Sequence, residues 1–142
     1  MYILSHSQIS CCRYRLNELI HAVNASGLSL LFASESFKTS DYRTMLKQGR
    51  HSMPNLQRTI FIGTSDWDEL MSHGEKVAAD AVLQRELELR CSDAINIQFT
   101  SGTTALPKGA TLSHHNILNN GFQVGALLNY TSADRVCIPV PL

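Results

Sequence analysis

Apolar positions recur along this chain at helical spacing in some segments and in short continuous or alternating runs in others. In residues 13–27, RYRLNELIHAVNASG, the apolar positions Leu16, Leu19, Ile20 and Val23 share a helical face, and Asn24 and Gly27 supply a stop. The run LSLLFA that follows reads as a short buried strand. SESFKTSDYRTMLKQG opens with turn residues, and Ser40 or Asp41 caps a helix that closes near Gly49. After the loop HSMPNLQ, the segment RTIFIGTS is a second strand. Trp67 to Met71 predict one helical turn, and Gly74 then breaks the chain. EKVAADAVLQRELELR predicts a helix from its alanines, leucines and charges.

SDAINIQF is the third strand, with Ile95, Ile97 and Phe99 alternating against Asn96 and Gln98. A polar loop follows, and then a helix from about Ser113, whose hydroxyl is a suitable N-cap. Ile117, Phe122, Val124 and Leu128 supply its apolar side, with Gly121 and Gly125 as weak points. RVCIPVP predicts a fourth strand. Helices alternate with strands throughout, which predicts an α/β fold with a mainly parallel sheet covered by helices.

Composition narrows this without changing it. The chain has 142 residues, 44% hydrophobic and 17% charged, so it can build a core. Lys and Arg total 12 and so do Asp and Glu. With zero net charge, no global field draws the chain to nucleic acid, and no nucleic-acid partner is expected. Cys11, Cys12, Cys91 and Cys137 form no CxxC pair, and the adjacent His114 and His115 diverge on a helix, so no metal site is expected. Cys91 and Cys137 read as buried or half-buried thiols, Trp67 as a packing anchor, and Glu86, Glu88 and Arg90 as a solvated helix face. No run of ~18 apolar residues suggests a transmembrane segment. The apolar run in MYILSHSQIS is too short for a signal-peptide core, so an intracellular domain is expected.

The chemistry concentrates in residues 100–109, TSGTTALPKG. Thr100, Ser101, Thr103 and Thr104 offer hydroxyls, and Gly102 lets a backbone turn tightly or approach a ligand closely. Successive N–H groups in such a turn form an anion-binding nest, and Lys108 adds a mobile positive charge after the stiff Pro107. These are parts suited to wrapping a triphosphate. The loop is not a Walker A motif, because Pro107 stands at the second glycine and Gly109 at the Ser/Thr position. By composition alone it reads as an ordinary polar surface turn.

The order of the residues separates these readings. TSGTTALPKG resembles the phosphate-binding signature of the adenylate-forming (AMP-binding) superfamily, usually Thr-Ser-Gly-Thr-Thr-Gly-x-Pro-Lys-Gly. DAINIQF before it and GATLSHHNILNN after it resemble the family's flanking strand and helix. The flanks are most similar to the mitochondrial type of medium-chain acyl-CoA synthetases. The likeness covers residues 13–142, a partial N-terminal domain of that fold, and leaves residues 1–12 as a divergent segment. It implies a mitochondrial location and ATP with Mg²⁺ as substrate complex, with fatty acid and coenzyme A as the further substrates of the full-length enzyme. It also implies that Thr100, Ser101, Gly102, Thr103, Thr104, Lys108 and Gly109 form the nucleotide-binding set, in a positioning and not a nucleophilic role.

Two departures qualify what is implied. Ala105 stands where the family has glycine, which weakens phosphate binding if that position needs positive φ or close approach. The family's adenine motif, ribose-binding aspartate segment, hinge and catalytic lysine have no counterpart in these residues. The chain is therefore expected to carry no catalytic residue of its own and to be inactive alone, as a piece of an acyl-CoA synthetase. The alternative is a non-catalytic remnant that binds nucleotide weakly or binds a partner protein. A free-standing phosphate-binding module of unrelated origin fits less well, because both flanks share the resemblance.

Overall fold

In the computed structural model, residues 14–100 and 106–137 are described. Helix α1 (Leu16–Ser26) forms where the pattern places it. At its start the Arg15 backbone N–H donates to the Glu18 carboxylate at 2.8 Å. At its end Gly27 adopts φ 65°, and the amides of Gly27 and Leu28 donate to the carbonyls of Asn24 and Val23. A left-handed residue at this point strains any side chain but glycine's hydrogen, and that ends the helix.

Strand β1 (Leu30–Ala33) leads to a small antiparallel turn, β2 (Ser36–Phe37) with β3 (Ser40–Asp41), in which Lys38 takes φ 53°. Helix α2 (Tyr42–Gly49) uses Asp41 as its cap, and the Asp41 carboxylate accepts from the Thr44 amide at 2.9 Å and the Thr44 hydroxyl at 2.7 Å. The amide bond foremost, then the hydroxyl, hold the Asp41 carboxyl below its ordinary value. A single 3₁₀ turn (Arg50–Ser52) precedes β4 (Arg58–Phe61). β4 pairs in parallel with β1, Leu30 opposite Arg58 and Ala33 opposite Phe61.

The core lies among these elements. Leu19, Ala22 and Val23 of α1, Leu31 of β1 and Leu46 of α2 cluster with Tyr14, Leu28, Met53 and Leu56. Among the described residues, Met53, Leu56, Ile60 and Val23 are the largest side chains fully removed from solvent.

Helix α3 (Ser65–Glu75) is longer than the single turn expected around Trp67. Asp66 and Asp68 favour its N-terminal end, and Gly74 falls in its last turn, where one glycine costs only about 1 kcal/mol and does not break the helix. Trp67 is a packing anchor, edge-on to Phe32 with ring centroids 6.0 Å apart. Helix α4 (Ala79–Leu87) is correspondingly shorter than its composition suggested, since Glu75 belongs to α3. Glu86, Glu88 and Arg90 are exposed as expected, but only Glu86 is in the helix, with Glu88 at its C-cap and Arg90 beyond it.

The last described elements are β5 (Ala94–Thr100), β6 (Lys108–Ser113) and α5 (His114–Leu127). β5 and β6 form an antiparallel hairpin. The fold is the α/β mixture that the alternation implied, with β1 and β4 its parallel pair and the hairpin an addition that the pattern did not reveal. Residues 135–137, the described part of the segment read as a fourth strand, are not in a strand, and the rest of that segment lies outside the described residues. Cys91 and Cys137 are exposed, correcting the expectation that they pack inside. Among the described residues no helix is long and apolar enough to cross a membrane.

Candidate functional site

The phosphate-loop candidate closes the hairpin. Thr100 ends β5, Lys108 begins β6, and the two face each other in the last rung of the ladder. The Thr100 hydroxyl donates weakly to the Lys108 carbonyl at 3.4 Å. Both residues are exposed, which leaves the Thr100 hydroxyl and the Lys108 ammonium at the mouth of the turn open to a ligand. Ser101, Gly102, Thr103 and Thr104, with Ala105, lie outside the described residues.

Gly109 has a packing reason for its place. It pairs with Phe99, and a Cβ there would meet Ile97 Cγ2 at 2.9 Å and Phe99 Cε1 at 3.3 Å. The side chains of Ile97 and Phe99 lean over the β6 backbone, and only a hydrogen fits beneath them without displacement. Thus the alternating apolar residues of β5 clamp the strand that follows the loop.

Strand β6 also settles the relation between the loop and the following helix. Ser113 pairs with Ala94, at the far end of the hairpin from Thr100 and Lys108. The Ser113 hydroxyl accepts from the Asn116 amide at 3.2 Å, while the Asn116 side-chain carbonyl accepts from the Ser113 amide at 3.0 Å. The amides of His114 and His115 donate to the carbonyls of Asp93 and Cys91, tying the start of α5 to the start of β5. A strand of six residues separates the two ends by about 17 Å at the usual rise. The α5 dipole therefore acts away from the loop, because its influence fades within the first turn. The predicted cap at Ser113 is present.

Pattern reasoning did not find His21. It lies on α1, and its Nε2 is 2.8 Å from the carbonyl oxygen of Pro107. A carbonyl only accepts, so Nε2 carries the hydrogen. The His21 ring also meets Phe99 edge-on, with centroids 6.5 Å apart and planes at 74°. Phe99 packs in turn against the core cluster. The hydrogen bond joins residues 86 positions apart and the ring contact is nearly as long in range, so no local signal could have shown them.

Among the described residues, no group of three His, Cys, Asp or Glu side chains is placed to hold a metal ion. Among the described residues, the Thr100 hydroxyl and the Lys108 ammonium are donors exposed at the open end of the hairpin, where an anion could be held.

Residues 11–142 match the family described as AMP-binding enzyme. The mitochondrial medium-chain acyl-CoA ligase ACSF2 of Danio rerio is 36% identical over 91% of this chain and 25% of its own length. The acyl-CoA ligase sidI of Aspergillus fumigatus is 33% identical over 91% of this chain and 24% of its own length. The putative acyl-CoA synthetase YngI of Bacillus subtilis is 31% identical over 90% of this chain and 27% of its own length. The chain thus spans about a quarter of the length of the curated relatives it matches.

Proposed function

We propose a function from one premise: the chain belongs to the family of AMP-binding enzymes. In this reading, it carries the phosphate-binding loop of an AMP-forming acyl-CoA synthetase, acting on medium-chain fatty acids in the mitochondrion. The observation that carries the proposal is the meeting of Thr100 and Lys108 at the hairpin end, within a chain similar to acyl-CoA ligases over nine-tenths of its length.

Thr100, Ser101, Gly102, Thr103, Thr104 and Lys108 would hold the β- and γ-phosphates of ATP, with Mg²⁺ arriving on the triphosphate as part of the substrate. Gly109 would serve the same loop by letting β6 pack closely under Ile97 and Phe99. A fatty-acid carboxylate oxygen then attacks the α-phosphorus, a new P–O bond forms, and the bond to the β-phosphate breaks. Pyrophosphate leaves, its charge stabilised by the Lys108 ammonium and the loop donors. In the second step the coenzyme A thiol, losing its proton, attacks the acyl carbonyl carbon and expels AMP. The loop contributes orientation and charge stabilisation, and neither step uses one of its residues as nucleophile.

Ala105 tempers the reading, since a glycine there is the family's habit. The test is calorimetric titration of Mg·ATP into the chain and two variants. Ala105→Gly should bind more tightly than the unaltered chain, and Lys108→Ala more weakly. Three equal dissociation constants, or no binding even by Ala105→Gly, would sink the assignment. ATP–pyrophosphate exchange with octanoate should be absent for the chain alone.

A further inference from the structure

Building on the reading of residues 100–109 as a phosphate loop, we propose that His21 is the positioning residue for the lysine end of that loop. The ladder between β5 and β6 stops at Thr100 and Lys108, so the Pro107 carbonyl lies just beyond the last rung. His21 Nε2 supplies a donor to that carbonyl at 2.8 Å. Pro107 contributes a fixed φ and no N–H of its own. Holding its carbonyl therefore sets the plane of the peptide that enters Lys108, and with it the direction in which the lysine leaves the backbone.

The anchor is rigid on its own side. His21 sits between Leu19 and the buried Ala22 and Val23 of α1, which belong to the core cluster. Its ring also rests edge-on against Phe99, the β5 residue that faces Gly109 across the hairpin. One side chain thus touches β5 through Phe99 and the residue just before β6 through Pro107. The hairpin contributes no buried side chain to the core cluster, so this contact, together with Phe99, ties the loop stem to the packed part of the molecule. A stem already held in place loses less freedom when a ligand binds beside it, which raises affinity without a contact to the ligand.

Limited trypsin digestion and Mg·ATP titration of the full chain test this, with His21→Leu and His21→Gln as variants. His21→Leu removes the donor, and His21→Gln restores an N–H of similar reach. In His21→Leu, cleavage after Lys108 should accelerate about fivefold, the opening expected from one lost hydrogen bond. Cleavage after Lys47 in α2 should keep its rate, Mg·ATP affinity should fall by a similar factor, and His21→Gln should return both to the starting values. Equal Lys108 cleavage in all three proteins overturns the proposal. So does faster cleavage at Lys47 as well as Lys108 in both variants, which would mean that His21 only supports the packing of α1. Faster Lys108 cleavage with unchanged Mg·ATP affinity rejects the positioning role. Absence of Mg·ATP binding by the unaltered chain and by Ala105→Gly alike refutes the phosphate-loop reading instead, while the cleavage rates still decide whether His21 anchors the stem.

Discussion

The segment from Tyr14 to Ile60 and the hairpin with α5 are written in similar apolar patterns, yet their side chains end in opposite environments. Every buried side chain among the described residues belongs to the first segment. In α5, Leu118 and Phe122 are each 75% exposed and Leu127 is 81% exposed. The first segment folds α1 and α2 around β1, so each apolar face finds another. The second has a well-formed hairpin and a well-capped helix, but nothing among the described residues covers the helix's apolar side. Backbone hydrogen bonds and caps thus suffice to shape an element, whereas burial needs a second surface. The phosphate-loop candidate sits on the less buried of the two regions and reaches the core through Phe99 and His21.

The sharpest way to break this comparison is to remove one apolar side chain from each region. Leu56→Ala, at a site 2% exposed, should lower unfolding free energy by about 3 kcal/mol. Leu118→Ser on α5 should stay within about 0.5 kcal/mol of the starting value, since its side chain leaves no cavity. Urea unfolding followed by circular dichroism measures both, and similar losses would show that the two regions share one core. A smaller effect is expected from Gly109→Ala. The new methyl group must push back Ile97 and Phe99, costing about 1 kcal/mol. Amide exchange should quicken along β5 and β6 while Ala22 and Val23 keep their protection, and uniform loosening would contradict separate behaviour of the two regions.

The smallest effect concerns the cap of α2. Because the Thr44 hydrogen bonds depress the Asp41 pKa, the folded state favours the ionised carboxyl. Its contribution is complete above the unfolded value of 3.8 and is lost as pH falls through the lower folded value. Asp41→Asn keeps an acceptor at the cap and removes this titration. The acid limb of the stability curve below about pH 4 should therefore be slightly shallower in the variant. Solvent exposure of Asp41 keeps the difference small, and a steeper limb would reverse the assignment.

Much of this was legible in the sequence because it depends on neighbours. Gly27 marks the end of α1 through its own φ, Asp41 and Ser113 cap through hydrogen bonds three residues away, and the alternation in AINIQF announces β5. The signature in residues 100–109 was legible as an ordered string of residue types, and its family membership followed. Strand β6 was missed because KGATLS has little apolar alternation, and its extension comes from pairing with β5. Helix α3 runs past the single turn its pattern suggests because a glycine in a last turn, such as Gly74, disturbs few hydrogen bonds. The exposure of Cys91 and Cys137 depends on what packs nearby, which residue type alone does not reveal.

By itself, then, the sequence determined the alternation of helices and strands, the caps and stops, and the ordered string of residues 100–109 that resembles a phosphate-binding signature. Each follows from bonds or steric limits within a few residues. Tertiary structure alone decided that the loop closes an antiparallel hairpin, that α5 begins at the far end from Lys108, that Gly109 lies beneath Ile97 and Phe99, and that His21 reaches Pro107. Those are consequences of which surfaces meet, and a contact between α1 and a turn 86 residues later exists only after the chain between them has folded.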